Sequence, residues 1–139
     1  MKEHFVTKEI AISMEEIGFD EPCICGYNSY GALKHNIAIS SPNKDDFVSS
    51  DKYDKKINAP TWEQVIDWFI KQYNYSIVID NVIHGWFWEI VDVKSGGIII
   101  QYECELTDGR FIYIKNRHEA REFGILKAIE LIKSNQTNK

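Results

Sequence analysis

Several things are scarce in this chain, and each absence closes a class of function. No stretch approaches the roughly 18 consecutive apolar residues of a membrane-spanning helix, so no membrane partner is expected. The opening Met1-Lys2-Glu3-His4-Phe5 lacks the apolar run of a secretory signal peptide. Cysteine is sparse and odd in number, three in all, which argues for reduced thiols in a cytoplasm over a disulfide framework. Positive charge is not in excess either. Sixteen basic residues against 21 acidic ones leave a formal net charge of −5, with no overall pull toward nucleic acid or an anionic membrane. The short motifs of catalysis are missing too: no G-x-S-x-G, no Walker loop, no H-E-x-x-H and no dinucleotide fingerprint. Gly96-Gly97 reads as a hairpin turn, because a phosphate cradle needs a helix start directly after it.

What is present is enough for a core. The 139 residues fit one domain, which at this size buries roughly two-thirds of its unfolded surface. Aromatics reach 13%, a level that calls for a bulky core, an interaction surface, or both.

Periodicity predicts three helices. Thr7 caps the first, about Lys8 to Ile17, with Ile10, Met14 and Ile17 inward, Ala11 beside them, and Gly18 at a left-handed C-terminal cap. Phe19 is expected to fold back on Met14. The second helix starts at Thr61, with Gln64 completing a T-x-x-Q capping box. Its stripe is Trp62, Val65, Ile66, Phe69 and Tyr73, at i, i+3, i+4, i+7 and i+11. Trp68 points roughly 120° away from that stripe, which leaves open what covers it. The third helix is capped by Asn116, with Glu119 three residues on, and buries Ile125, Ala128, Ile129 and Ile132, flanked by Phe123 and Leu126.

Between the helices the period falls to two. Ile24, Leu33, Ile37 and Ile39 suggest two short strands around an Asn28-Ser29-Tyr30-Gly31 turn. Residues Pro42 to Lys56 read as one long loop. Ser76 to Asp80, Trp86 to Val93, Ile98 to Leu106 and Arg110 to Ile114 read as strands, the last two joined by an Asp108-Gly109 turn. The expected class is therefore α+β: three helices packed on a mainly antiparallel four-stranded meander, with a small N-terminal hairpin, in the order α-ββ-α-ββββ-α. Helices two and three should cover the face carrying Trp86, Trp88, Ile90, Ile100, Tyr102 and Cys104. Residues 1–134 form the single domain, and 135–139 a polar tail.

Candidate chemistry is thin. On a strand Cys23 and Cys25 point the same way and could share a soft metal with Cys104 or His35. The usual zinc spacing is C-x₂₋₄-C, however, no second pair follows, and small buried cysteines are the commoner explanation. His4, His35, His84 and His118 show no ligand spacing. Glu89, Asp92, Glu103, Glu105 and Asp108 could gather for acid–base work or a hard cation, but polar alternation on an antiparallel strand needs no other cause. Lys115, Arg117, His118 and Arg121, near Phe111 and Tyr113, would suit a nucleic-acid site. Glu119 and Glu122 interleave with them, so pairing within the helix accounts for them better. No catalytic, cofactor or metal residue is therefore assigned. Trp68, Tyr27, Tyr30 and Tyr53 are the exposed-aromatic candidates for a partner surface.

Three segments together resemble a group of small uncharacterised proteins of Bacteroidota genomes, prophages and phages: Ala11 to Cys23 (AISMEEIGFDEPC), Ala59 to Ile77 (APTWEQVIDWFIKQYNYSI) and Glu119 to Lys133 (EAREFGILKAIELIK). The resemblance covers about a third of the chain and carries over no activity, cofactor or catalytic residue. It implies a bacterial host cytoplasm and a small phage-borne protein that binds a host or viral protein, inhibitors of defence systems such as CRISPR effectors being one such class. The expectation is a non-enzymatic interaction module with a protein partner. Two alternatives stand beside it: a small enzyme or ligand-binding domain using the sheet carboxylates or cysteines, and a homo-oligomer whose loop or sheet edge pairs with a copy of itself.

Overall fold

The computed structural model describes residues 2–35, 56–107 and 110–137. The chain is α+β, and its contacts cluster into two compact units, Met1–Gln64 and Val65–Lys139.

In the first unit a 3-10 turn, Lys2–His4, leads to helix α1, Lys8–Glu16. Both ends of α1 follow the sequence signals. Thr7 Oγ1 accepts from the Ile10 N–H at 3.3 Å. Gly18 takes φ 101°, and the N–H groups of Gly18 and Phe19 donate back to Glu15 O and Met14 O at 3.1 and 2.9 Å. That pair of bonds is the Schellman cap, for which glycine supplies the left-handed residue without a Cβ penalty.

Strands β1 (Cys25–Tyr27), β2 (Leu33–His35) and β3 (Ile57–Ala59) form an antiparallel sheet in the order β2-β1-β3, with α1 packed against β3. The hairpin turn is held by Asn28, whose Oδ1 accepts from the N–H groups of Tyr30 and Ala32. The expected strand residues Ile37 and Ile39 and the long loop from Pro42 lie outside the described residues, apart from Lys56. β3 makes this a three-stranded sheet, not a hairpin. The core of the unit gathers Val6, Ile10, Met14, Cys25, Ala59 and Trp62, all essentially inaccessible. The Trp62 indole N–H donates to Glu3 O at 3.0 Å.

Helix α2, Trp62–Tyr73, begins with the complete capping box. The Gln64 N–H donates to Thr61 Oγ1 at 3.1 Å, and the Thr61 N–H donates to Gln64 Oε1 at 3.0 Å. Asn74, at φ 58°, ends the helix in the left-handed region. The boundary between the two units falls within this helix, after Gln64.

The second unit holds β4 (Tyr75–Val82), β5 (Gly85–Asp92) and β6 (Ile98–Gln101) in an antiparallel sheet of that order. A separate two-stranded ribbon, β7 (Glu105–Thr107) and β8 (Arg110–Ile112), pairs Thr107 with Arg110. The expected four-stranded meander is thus replaced. The alternation from Ile98 to Leu106 continues in the sequence, but the strand is interrupted at residues 102–104. Register slips by one at Ile99, which has no partner of its own because Ile90 pairs with Ile100 and Val91 with Ile98. The expected Asp108-Gly109 turn lies outside the described residues.

Cross-strand pairs Ile77↔Ile90 and Ile79↔Trp88 set one apolar sheet face. Helix α3, Arg117–Thr137, packs across β4 and β5. Asn116 Oδ1 accepts from the Glu119 N–H at 2.8 Å to start it. Its buried side is Ala120, Gly124, Ile125, Ala128, Ile129 and Ile132. Gly124 permits the close approach, since a Cβ there would sit 3.0 Å from Ile77 Cγ2 and 3.2 Å from Trp88 Cβ. The helix also runs through Asn135–Thr137, where part of the polar tail was expected. Helices α1 and α3 therefore pack on two different sheets, not together on one. No helix among the described residues is long and apolar enough to cross a membrane.

Candidate functional site

The aromatic residues expected at the surface separate into three fates. Trp68 is buried, 3% exposed, with its ring edge-on to Phe69 and Tyr73 at centroid distances of 5.3 and 5.5 Å. The fully buried arc of α2 is Trp62, Val65, Trp68 and Phe69, while Ile66 and Tyr73 are only half-buried. The stripe is therefore turned toward Trp68, and the expectation of an exposed tryptophan is corrected. Tyr27 is likewise buried, 3% exposed, and its hydroxyl donates to Val6 O at 2.6 Å. It sits on the central strand of its sheet, where all three residues are inaccessible. Tyr30, at the hairpin turn, is 91% exposed, as expected. Tyr53 lies outside the described residues.

Among the described residues the chemical candidates come together only in part. Cys25 and His35 are cross-strand partners, with Sγ 3.8 Å from Nδ1. Burial pushes the Cys25 thiol up, and it pushes the Cys23 thiol up to about 11, with Glu21 adding to the shift. Both effects oppose the thiolate that nucleophilic attack or metal ligation requires. Cys104 is half-buried; the Tyr113 hydroxyl is raised above its ordinary range by burial first and by Cys104 beside it. Among the described residues, no three His, Cys, Asp or Glu side chains converge on a possible metal position.

Of the candidate carboxylates, Asp108 lies outside the described residues. Glu89 stands opposite Gln101. Asp92 organises the β5–β6 turn, accepting from the Ser95 hydroxyl at 2.9 Å and the Lys94 N–H at 3.2 Å, and these bonds hold its carboxyl below the usual range. In the basic cluster, the Arg121 guanidinium lies 3.0 Å from His118 Nδ1.

The feature that does assemble is a groove of about 400 Å³ in the second unit. Its floor is Trp88 of β5, Tyr102 just beyond β6, and Ile114. Its wall and rim are Phe123, Leu126, Lys127 and Glu130 of α3. Ile114 reaches the floor because the chain after β8 pairs with the start of β5: the Trp86 N–H donates to Ile114 O at 2.8 Å, and the Ile114 N–H donates to Trp86 O at 3.1 Å. Gly85 allows that pairing, since a Cβ on it would lie 2.6 Å from Tyr113 Cβ and 2.7 Å from Ile114 O. Tyr102 is fixed twice, its N–H donating to Trp88 O at 2.9 Å and its hydroxyl to Ile112 O at 3.1 Å.

The rim is apolar where it meets solvent. Phe123 is 51% exposed and Leu126 39%. Lys127 Nζ and Glu130 Oε1 close one side as an ion pair at 3.1 Å. The sequence carried a signal for this site that the core reading absorbed. Phe123 and Leu126 flank the buried stripe of α3 without belonging to it, and two bulky apolar residues at i, i+3 outside a core stripe mark a second apolar face.

No protein-family model, no curated protein and no solved structure matches this chain.

Proposed function

We propose that this chain is a non-enzymatic protein-interaction module whose contact site is the groove between α3 and the β5–β6 sheet. The observation that carries the reading is the exposed apolar rim, Phe123 and Leu126 above a floor of Trp88 and Ile114. Aromatic side chains seated over an apolar pocket and edged by charge are the composition of binding hot spots. The raised thiols add weight against turnover as the function. On the resemblance drawn from its three segments, the chain belongs to a phage or mobile element of Bacteroidota, and its partner is a component of host defence, with a CRISPR effector as the first to test.

The test places a photo-crosslinking residue at position 123 in the full chain, expressed in a Bacteroidota host that carries a CRISPR system. Position 83, at the exposed tip of the β4–β5 hairpin, is the control. One host protein crosslinked from position 123 and not from 83 is the expected outcome. Equal labelling from both positions, or none, refutes the site. If the wild-type chain relieves CRISPR interference and Phe123→Asp does not, the defence assignment stands. Binding without relief refutes that assignment alone.

A further inference from the structure

We draw no further inference here: the strongest candidate, the open apolar groove between α3 and the β5–β6 sheet with the outermost strand β6 beside its floor, belongs to the site already described, and nothing in the structure shows what covers it.

Discussion

Replacing Gly85 with alanine should be among the most damaging single-methyl additions in the second unit. The backbone there is not in the left-handed region, so alanine can adopt its conformation, and the obstacle is space. The new Cβ would stand 2.6 Å from Tyr113 Cβ and 2.7 Å from Ile114 O, separations that a carbon cannot hold. Neither neighbour can swing aside, since one is the root of a side chain and the other is backbone. The chain at Tyr113-Ile114 has to move off β5.

That movement breaks the Trp86–Ile114 bonds at 2.8 and 3.1 Å, each contributing about 0.5–1.5 kcal/mol. It also loosens Ile114, whose full burial contributes about 1.5–3 kcal/mol. Reduced freedom of the unfolded chain offsets about 0.4–1 kcal/mol. The net expectation is a loss of about 2–4 kcal/mol, or ~3–5 °C of melting temperature per kcal/mol in a chain of this size.

Urea unfolding followed by tryptophan fluorescence measures it. Gly96→Ala is the matched control: φ is 73° and a Cβ meets nothing within 4 Å, so only the left-handed backbone penalty of about 1–2 kcal/mol remains. A Gly85→Ala variant within 0.5 kcal/mol of wild type would refute the close approach of the two segments, and the floor of the groove with it.

Other perturbations probe other parts of the molecule. Trp88→Ala and Phe69→Ala should each lose about 3–5 kcal/mol in the same assay, because both side chains are buried; a loss well under 1 kcal/mol for Trp88 would show that α3 does not rest on that face. Thr61→Ala should lose about 1 kcal/mol, since the capping box at the start of α2 is bonded in both directions, and Gln64→Ala should add little to it in the double variant. Stability should fall as pH rises from about 9 to about 11. The folded Cys23 thiol holds its proton up to about 11 against an ordinary value of 9.0, so above pH 9 the unfolded chain ionises first and gains. Buried Cys25 and Tyr27 are shifted in the same direction, so Cys23→Ala should flatten the fall in part, and an unchanged pH profile would show that Cys23 is not the group responsible.

What could be read from the sequence was local chemistry. Thr7, Gly18, Thr61, Gln64 and Asn116 act within four residues of themselves, and each does in three dimensions what its spacing requires. The core of α3 was equally legible, because Ile125, Ala128, Ile129 and Ile132 have no polar competitor on their side. Trp68 was misplaced for a physical reason. The periodicity of α2 weighs Ile66 and Tyr73 as heavily as Trp62, and only the neighbours decide which edge of a broad apolar arc is sealed. β3 is three residues long and precedes a proline, too short to show a period. The close approaches at Gly85 and Gly124 are set by residues far along the chain, which no local window contains. The groove was hidden by its own composition, since a phenylalanine and a leucine beside a core stripe look like more core.

The extra residue Ile99 also bears on the exposed edge of its sheet. Ile98-Ile99-Ile100 is an apolar run on the outermost strand of its sheet, without a proline or a charge inside it, the composition that lets one exposed edge template another into fibrils. The extra residue breaks the two-residue repeat within that run. A straight incoming strand can then match the hydrogen-bonding groups on one side of the break or the other, but not both. An irregularity of this kind is one of the ways an exposed sheet edge is made a poorer template for a second strand.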